Sequence, residues 1–185
     1  MMGRFFWLFT AACIALAVHL ATVLYVPGIT LQRNLAYVSS DATPNQFIIL
    51  KPETQVLLVP TATPQDIVGL CLVDLSKGNV MISARVPASF WSFSVFGSAG
   101  DQVYGINDVE ASTGQFNVEL SKSKSLLQQV TGKPEAEDAS VINNVGWHAE
   151  VSDNKAIAVL WVPVPDVTQR AAMEATLKAS TCQPR

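Results

Sequence analysis

The sequence predicts a mainly β domain, either an antiparallel sandwich or a jelly-roll-like fold, with a C-terminal helix and one transmembrane helix in front of the domain. Three observations predict it: an uncharged apolar segment near the N-terminus, a two-residue hydrophobic period further along, and turn-forming residues between the strand-like segments. We expect a cytoplasmic N-terminus (1–4), a transmembrane helix (5–26), a stalk (27–45) and an exported β-rich domain (46–185).

Residues 5–26 read FFWLFTAACIALAVHLATVLYV and include no Asp, Glu, Lys or Arg. About 20 apolar residues suffice for a helix to cross the bilayer core, so the segment predicts a signal anchor that contacts the lipid bilayer. Cleavage after Ala17, as in a secretory signal peptide, is the alternative. The apolar run continues to Val26 and exceeds the about 7–15 residues of a signal-peptide core, which favours the uncleaved anchor.

Alternating hydrophobicity predicts half-buried strands over residues 80–86, 91–95 and 116–120. Residues 156–162 are apolar at successive positions, which predicts a strand that is covered on both faces. Short runs of Gly, Ser, Asn and Asp separate strand-like segments, and they predict three hairpins with turns at 76–79, 97–101 and 152–154.

Two helices are predicted within the β-rich domain. The first is short and covers residues 123–130. The second follows Pro165 and is capped by Asp166, with Met173 and Leu177 four residues apart on one face. This terminal helix is expected to pack on the sheet.

Cys71 lies in the apolar segment GLCLVDL, and Cys182 follows the predicted terminal helix. If the domain is exported, these two cysteines predict a disulfide, which would close a loop of about 110 residues and stabilise the fold by at most about 4–5 kcal/mol. Two unconnected thiols are the alternative. Cys13 would remain unpaired in the lipid.

The composition restricts the possible functions. The chain has 12 basic and 15 acidic residues and a net charge of -3, so it lacks the basic surface that nucleic acids attract, and no nucleic-acid partner is expected. Only two histidines are present, and no nucleophile, phosphate-binding or dinucleotide-binding motif occurs. We therefore expect no metal site, no cofactor and no catalytic residue.

Four polar residues remain as a possible ligand-binding cluster: Tyr104, Asn107, Asp108 and His148. A structural interpretation competes with it. Asn107 and Asp108 are typical of a turn that follows a strand, and His148 alternates with Trp147 and Ala149, which predicts a solvated strand face. A catalytic Asp108 would require these side chains to converge on one pocket.

The order Phe90-Trp91-Ser92-x-Ser94-x-Phe96, a glycine turn and then Tyr104-x-Ile106-Asn107-Asp108 resembles a signature of DUF1254/DUF1214-like proteins, a bacterial membrane protein family with domains of unknown function. Cys71 and Cys182 also match that pattern, and the resemblance covers the chain from about Gly69 to its end. It implies an exported sandwich or jelly-roll-like domain in the bacterial envelope. It implies no activity and no cofactor.

These observations together predict a single-pass protein of the bacterial inner membrane, with its C-terminal domain in the periplasm. A non-enzymatic binding or assembly role with an envelope protein partner is the first hypothesis. The alternative is an envelope enzyme or small-ligand-binding protein that acts on a carbohydrate or lipid fragment.

Overall fold

The computed structural model describes residues 2–38, 42–111, 114–123 and 146–185. In these ranges the helices are α1 (Met2–Val38), α2 (Pro52–Leu58), α3 (Asp108–Ala111) and α4 (Arg170–Leu177), and a 3-10 turn (Val167–Gln169) leads into α4. The strands are β1 (Phe47–Ile49), β2 (Ile67–Asp74), β3 (Val80–Arg85), β4 (Ser92–Gly97), β5 (Gln102–Asn107), β6 (Gln115–Lys122), β7 (Trp147–Val151), β8 (Lys155–Val162) and β9 (Thr181–Pro184). The helix predicted over 123–130 lies outside the described residues.

The strands form two sheets that pack face to face. The five-stranded sheet has the order β1-β2-β8-β4-β5 and is antiparallel throughout, and the four-stranded sheet has the order β7-β6-β3-β9. In the second sheet β6 and β7 are parallel, with Val118 opposite Trp147, and the other pairs are antiparallel. The predicted mainly β fold with a C-terminal helix is confirmed, and the parallel pair is a departure from a purely antiparallel sandwich.

A large apolar cluster, here called the inner core, fills the space between the sheets. The alternating residues predicted to point inward do so: Val80, Ile82, Ala84, Val86, Trp91, Phe93, Val95, Phe116, Val118 and Leu120 are all buried. Phe116 lies at the centre of the aromatic part, with ring centroids 4.8 Å from Trp91 and 5.0 Å from Phe93. Such rings bury a large apolar area and stabilise the contact between the sheets.

The predicted disulfide joins Cys71 to Cys182, with a Cα–Cα distance of 6.4 Å and a sequence separation of 111. Cys71 lies on β2 of the five-stranded sheet and Cys182 on β9 of the four-stranded sheet, so the bond crosses the inner core. Both residues are buried. The strand β9 itself was not predicted, because its four residues, TCQP, carry no alternating pattern.

Of the three predicted hairpins, only the one at 97–101 connects neighbouring strands of one sheet, β4 and β5. The turn at 76–79 leads from β2 to β3, and the turn at 152–154 leads from β7 to β8, which in both cases belong to different sheets. These two hairpin predictions are wrong. Turn residues indicate where the chain reverses, whereas hydrogen-bonded pairing depends on which sheet the next strand joins.

Helix α1 does not end at Val26, as the predicted boundary implies, but continues through Pro27 to Val38. The first part of the segment expected as a stalk is therefore helical. Leu31, Leu35 and Val38 lie on one side of this extension and join the apolar residues on the outer face of the five-stranded sheet. Proline removes one hydrogen bond from a helix, and burial of these three side chains offsets that loss.

The apolar layer under this extension is here called the outer core. It is formed on the sheet side by Val68, Leu70, Ile157 and Val159 and is closed by α1 and by α2, which the sequence did not predict. Strand β8 thus has one face in the inner core and the other in the outer core. The predicted cover on both faces of residues 156–162 is confirmed.

The turn at 97–101 touches α1 directly and defines what is called here the hairpin end of the sandwich. A Cβ atom added to Gly28 would lie 2.9 Å from the carbonyl oxygen of Ala99, so only glycine allows this approach. Gly100, with φ of +85°, faces Pro27. Ser98 also hydrogen-bonds to Asp153 in the turn between β7 and β8.

The opposite end of the sandwich is here called the far end. It lies where β4 begins and where β5 and β8 end.

The terminal helix follows the prediction. The Asp166 carboxylate accepts a hydrogen bond of 2.9 Å from the Thr168 backbone N–H and caps the 3-10 turn before α4. Met173 and Leu177 are buried against the inner core, and Glu174 pairs with Lys178 across 3.1 Å. The helix covers one open side of the sandwich before the chain enters β9.

Candidate functional site

Tyr104 lies on β5, the edge strand of the five-stranded sheet, and is half-buried against the inner core. A β-bulge lies next to Tyr104. Tyr104 lies opposite Val95 and Gln102 lies opposite Phe96, so β5 has one additional residue, Val103, at this point. Burial, followed by the charge of Glu110, raises the pKa of the Tyr104 phenol above its ordinary value. The phenol is therefore neutral at physiological pH and can donate a hydrogen bond.

Asn107 ends β5 and organises the start of α3. Its side-chain oxygen accepts hydrogen bonds from the backbone N–H groups of Val109 at 3.0 Å and Glu110 at 3.2 Å. These bonds satisfy donors that a helix start leaves without partners, as the structural interpretation of the sequence predicts. The Asn107 oxygen is thus already engaged.

Asp108 differs from Asn107, because its backbone N–H has a hydrogen-bond partner whereas one of its side-chain oxygens has none among the described residues. Its N–H donates to the Trp91 carbonyl at 3.3 Å, which joins the end of β5 to the segment before β4. The Oδ1 atom is buried and has no hydrogen-bond partner within the described residues, and the same holds for Oγ of Ser89, two residues before Trp91. An unpaired buried oxygen costs about 1–3 kcal/mol, so Asp108 is the most unusual polar group at the far end.

His148 lies on β7, on the solvent side of the four-stranded sheet, where the sequence pattern predicts it. Its Nε2 atom is 3.0 Å from Oγ of Ser121 on the neighbouring strand β6. Because Ala149 and Val151 point into the inner core, His148 and Glu150 point away from it. This hydrogen-bonded contact with Ser121 on an exposed face agrees with the structural interpretation, in which His148 is a solvated residue of the strand surface.

Three of the four candidate residues follow one another closely in the chain, with Tyr104 and Asn107 on β5 and Asp108 at the start of α3, and their contacts are of different kinds. Tyr104 contacts the core, Asn107 caps α3 and Asp108 has an unpaired oxygen. His148 belongs to the other sheet and is engaged with Ser121. None of the four lines the surface grooves that the described residues form along α1.

Sequence reasoning missed a buried carboxylate at the far end, Asp66. Its oxygens accept hydrogen bonds from the backbone N–H groups of Thr63 at 2.8 Å and Val164 at 3.1 Å, and from the Trp161 indole N–H at 3.3 Å. Burial raises the pKa of Asp66, and these hydrogen bonds outweigh that effect, so the pKa lies below the ordinary value of 3.8.

Asp66 thus holds the loop after α2 against the end of β8. No local pattern could have revealed it, since its partner Trp161 lies 95 residues away in sequence. Within the described residues, no group of three His, Cys, Asp or Glu side chains is arranged to hold a metal ion.

No family model and no curated protein matches this chain. Among solved structures, the chain is similar to the VPA0106 protein from Vibrio parahaemolyticus, with a TM-score of 0.58 at 12% identity over 90% of this chain and 38% of that one. It is also similar to a putative uncharacterized protein from Burkholderia cenocepacia, with a TM-score of 0.44 at 10% identity over 76% of this chain and 34% of that one. This chain thus spans less than half the length of either protein. At this identity the first similarity shows a shared fold alone.

Proposed function

We propose that this protein is a single-pass, membrane-anchored periplasmic β-domain protein of the bacterial inner membrane, with a non-enzymatic binding or assembly role in the envelope. We also propose that it belongs with the DUF1254/DUF1214-like proteins, on the residues between Phe90 and Asp108. Anchoring is the part of the proposal that the described structure supports most directly.

The observation that carries the proposal is helix α1. Its side chains are exposed over the uncharged segment 5–26, including Phe5 at 74%, Trp7 at 71% and Leu24 at 69%. A soluble domain would bury such a surface, whereas lipid solvates it. The same helix packs on the outer face of the five-stranded sheet, so the domain is held next to the membrane.

The disulfide supports the choice of compartment. A bond between Cys71 and Cys182 persists in an oxidising environment, such as the periplasm, and is reduced in the cytosol. The opposite topology would place the β-domain among cytosolic reductants. An orientation with the N-terminus in the cytoplasm and the domain outside satisfies both the anchor and the disulfide.

The far end of the sandwich is the surface that we assign to a protein partner. Phe90 is 49% exposed and packs edge-on against Trp161, and Val109 is 76% exposed. Val167, which is 57% exposed, follows the end of β8. Exposed apolar side chains of this size mark protein contacts, and this end lies about 20 Å from the hairpin end along β4.

The first experiment tests anchoring and compartment together. We expect the native protein to remain in the membrane pellet after alkaline carbonate extraction, with the apolar segment 5–26 still attached and one reactive thiol, that of Cys13. A chain that begins at Val18, or three reactive thiols without reduction, would contradict the proposal.

The second experiment tests the far end. A photo-crosslinking amino acid at Phe90 or Val109 is expected to give one discrete adduct with an envelope protein in intact cells. The same group at Lys122, exposed on β6 of the other sheet, is the matched control and is expected to give none. Equal labelling at all three positions would contradict the assignment of this surface.

The alternative function, an enzyme or small-ligand-binding protein acting on a carbohydrate or lipid fragment, is favoured by one observation. The unpaired Oδ1 of Asp108 could accept a hydrogen bond from a ligand hydroxyl. Under this alternative, Asp108→Ala, which removes both side-chain acceptors, abolishes binding of a sugar or glycerol-containing fragment, whereas His148→Ala on the opposite sheet does not. Retained binding in a folded Asp108→Ala variant would remove this alternative.

A further inference from the structure

A groove runs between α1 and the hairpin end of the sandwich. It has a volume of about 600 Å³ and is lined on the helix side by residues that include Leu24, Ile29 and Arg33, and on the domain side by Ser98 and Ala99. The Gln32 side-chain amide donates to the Ser98 carbonyl at 3.5 Å and joins the two walls. The groove therefore has an apolar part near residue 24 and a cationic part near residue 33.

The depth of this groove in a bilayer follows from helix geometry. Arg4 and Arg33 are the first charged residues on either side of the apolar span. They are 29 residues apart, which corresponds to about 44 Å in an α-helix with a rise of about 1.5 Å per residue. A bilayer with its headgroups is about 40–45 Å thick, so Arg33 lies at headgroup depth when Arg4 lies at the opposite surface.

Arg33 is exposed and makes no ion pair within the described residues. A guanidinium group can form two parallel hydrogen bonds with a phosphate, and among the residues that the structure describes no carboxylate pairs with that of Arg33. Tyr25, 70% exposed at the apolar end of the groove, is of the residue type that concentrates at membrane interfaces.

The nearby acids restrict the headgroup. Asp153 hydrogen-bonds to Ser98 in the groove wall, and Asp101 lies in the same hairpin turn. Neither carboxylate lines the groove, but both belong to turns at its domain wall, where they disfavour a headgroup with net negative charge. We therefore expect a headgroup whose phosphate is accompanied by an ammonium group of its own.

We propose that this groove holds one zwitterionic phospholipid of the leaflet next to the domain, with its phosphate on Arg33 and an acyl chain along Leu24 and Ile29. The inference rests on the proposed membrane anchoring. The lipid would fill the space between the anchor and the hairpin end, which are the two parts of the molecule nearest to the headgroups.

Native mass spectrometry of the full chain, released from detergent after titration with phosphatidylethanolamine, tests the proposal. We expect one retained lipid per chain in the wild type. Retention should be about tenfold weaker in Arg33→Gln, because the guanidinium that binds the phosphate is lost, and this factor corresponds to about 1.4 kcal/mol. Arg33→Lys is expected to fall between them. Arg85→Gln, which changes an exposed arginine on β3, is the matched control and is expected to retain lipid like the wild type.

Equal retention by Arg33→Gln and the wild type would overturn the proposal, as would displacement of the lipid by millimolar inorganic phosphate alone. Thiol counting and circular dichroism confirm that each variant is folded. Recovery of the wild-type chain from the aqueous fraction without detergent would overturn the proposed anchoring and this inference together. If the chain is membrane-bound but the wild type and Arg33→Gln retain the lipid equally, only the lipid site would be overturned.

Discussion

The inner and outer cores lie on opposite faces of the same five-stranded sheet, and they are built differently. The inner core is closed by a second sheet, by stacked aromatic rings around Phe116 and by a disulfide. The outer core is closed by the extension of α1 and by the two-turn helix α2, with half-buried Leu31 and Leu35 at its margin. One face of the sheet is thus covered by the second sheet, and the other is covered by the long N-terminal helix together with α2.

This difference separates the stability of the domain from its attachment. Fully buried side chains contribute most of the hydrophobic free energy, whereas half-buried ones contribute a smaller share. We therefore expect changes in the inner core to unfold the domain, and changes in the outer core to loosen α1 from a domain that remains folded.

The largest effect is expected for Phe116→Ala. It removes a buried ring that packs against both Trp91 and Phe93 and leaves a cavity, so the free energy of unfolding should fall by about 3–5 kcal/mol. Urea unfolding of the full chain in detergent, followed by tryptophan fluorescence, measures it. A loss below about 1 kcal/mol would mean that the inner core does not dominate stability.

The second effect is expected for Asp66→Asn, at the boundary of the outer core. The amide replaces one carboxylate oxygen with a donor that faces N–H groups, which costs about 1–3 kcal/mol at neutral pH. Asp101→Asn, in an exposed turn, is the control and should have little effect.

The same variant has a pH signature. Because the pKa of Asp66 is lowered by folding, its contribution is present above its ordinary value of 3.8 and is lost as the pH falls through the folded pKa. The difference in unfolding free energy between wild type and Asp66→Asn should therefore shrink below pH 4. Asp74 and Asp166 also have lowered pKa values, from hydrogen bonds with Ser76 and Thr168, and they titrate in both proteins. A difference that is constant down to pH 2 would contradict this role of Asp66.

A smaller effect is expected for Leu35→Ala, which trims the outer core. The side chain is partly buried, so about 1–2 kcal/mol of the contact between α1 and the sheet should be lost. Amide hydrogen exchange should accelerate in residues 27–38 and stay unchanged in β3 and β6. Equal acceleration in both regions would show that the two cores unfold as one unit.

The smallest effect is expected for Lys178→Ala, which removes the exposed ion pair with Glu174 on α4. Such pairs contribute about 0.3–0.5 kcal/mol, because water screens them. Urea unfolding in low and in high salt checks this value, and the difference between the two proteins should disappear in high salt.

The alternating pattern of Phe116, Val118 and Leu120 predicted the inner core, because strand geometry alone sends such residues to one face. The two-sided apolar pattern of β8 likewise predicted that its second face is covered. It could not identify the cover, because Leu31, Leu35 and Val38 are scattered among polar residues in a segment whose composition resembles a stalk. Their burial depends on tertiary contacts with β2 and β8, which no local pattern encodes.

At the candidate site, too, the sequence predicted local structure but not tertiary contacts. The sequence indicated that Asn107 and Asp108 lie at a turn after a strand, and in the structure Asn107 is the last residue of β5 and Asp108 the first of α3. No local pattern encodes that Asn107 caps α3 while Asp108 Oδ1 is buried without a partner among the described residues, because burial depends on segments such as the one at Trp91, whose carbonyl accepts from the Asp108 N–H. The buried Asp66 depends in the same way on Val164, 98 residues away.

The unbroken course of α1 has a mechanical consequence. If α1 spans the membrane as we propose, the same helix both lies in lipid and packs on the sheet, so a tilt of the helix turns the whole β-domain with it. Membrane helices tilt by about 20° on average, and they tilt further in thin bilayers. Bilayer thickness would then set the height at which Phe90 and Val109 stand above the membrane, and hence which neighbours they can reach.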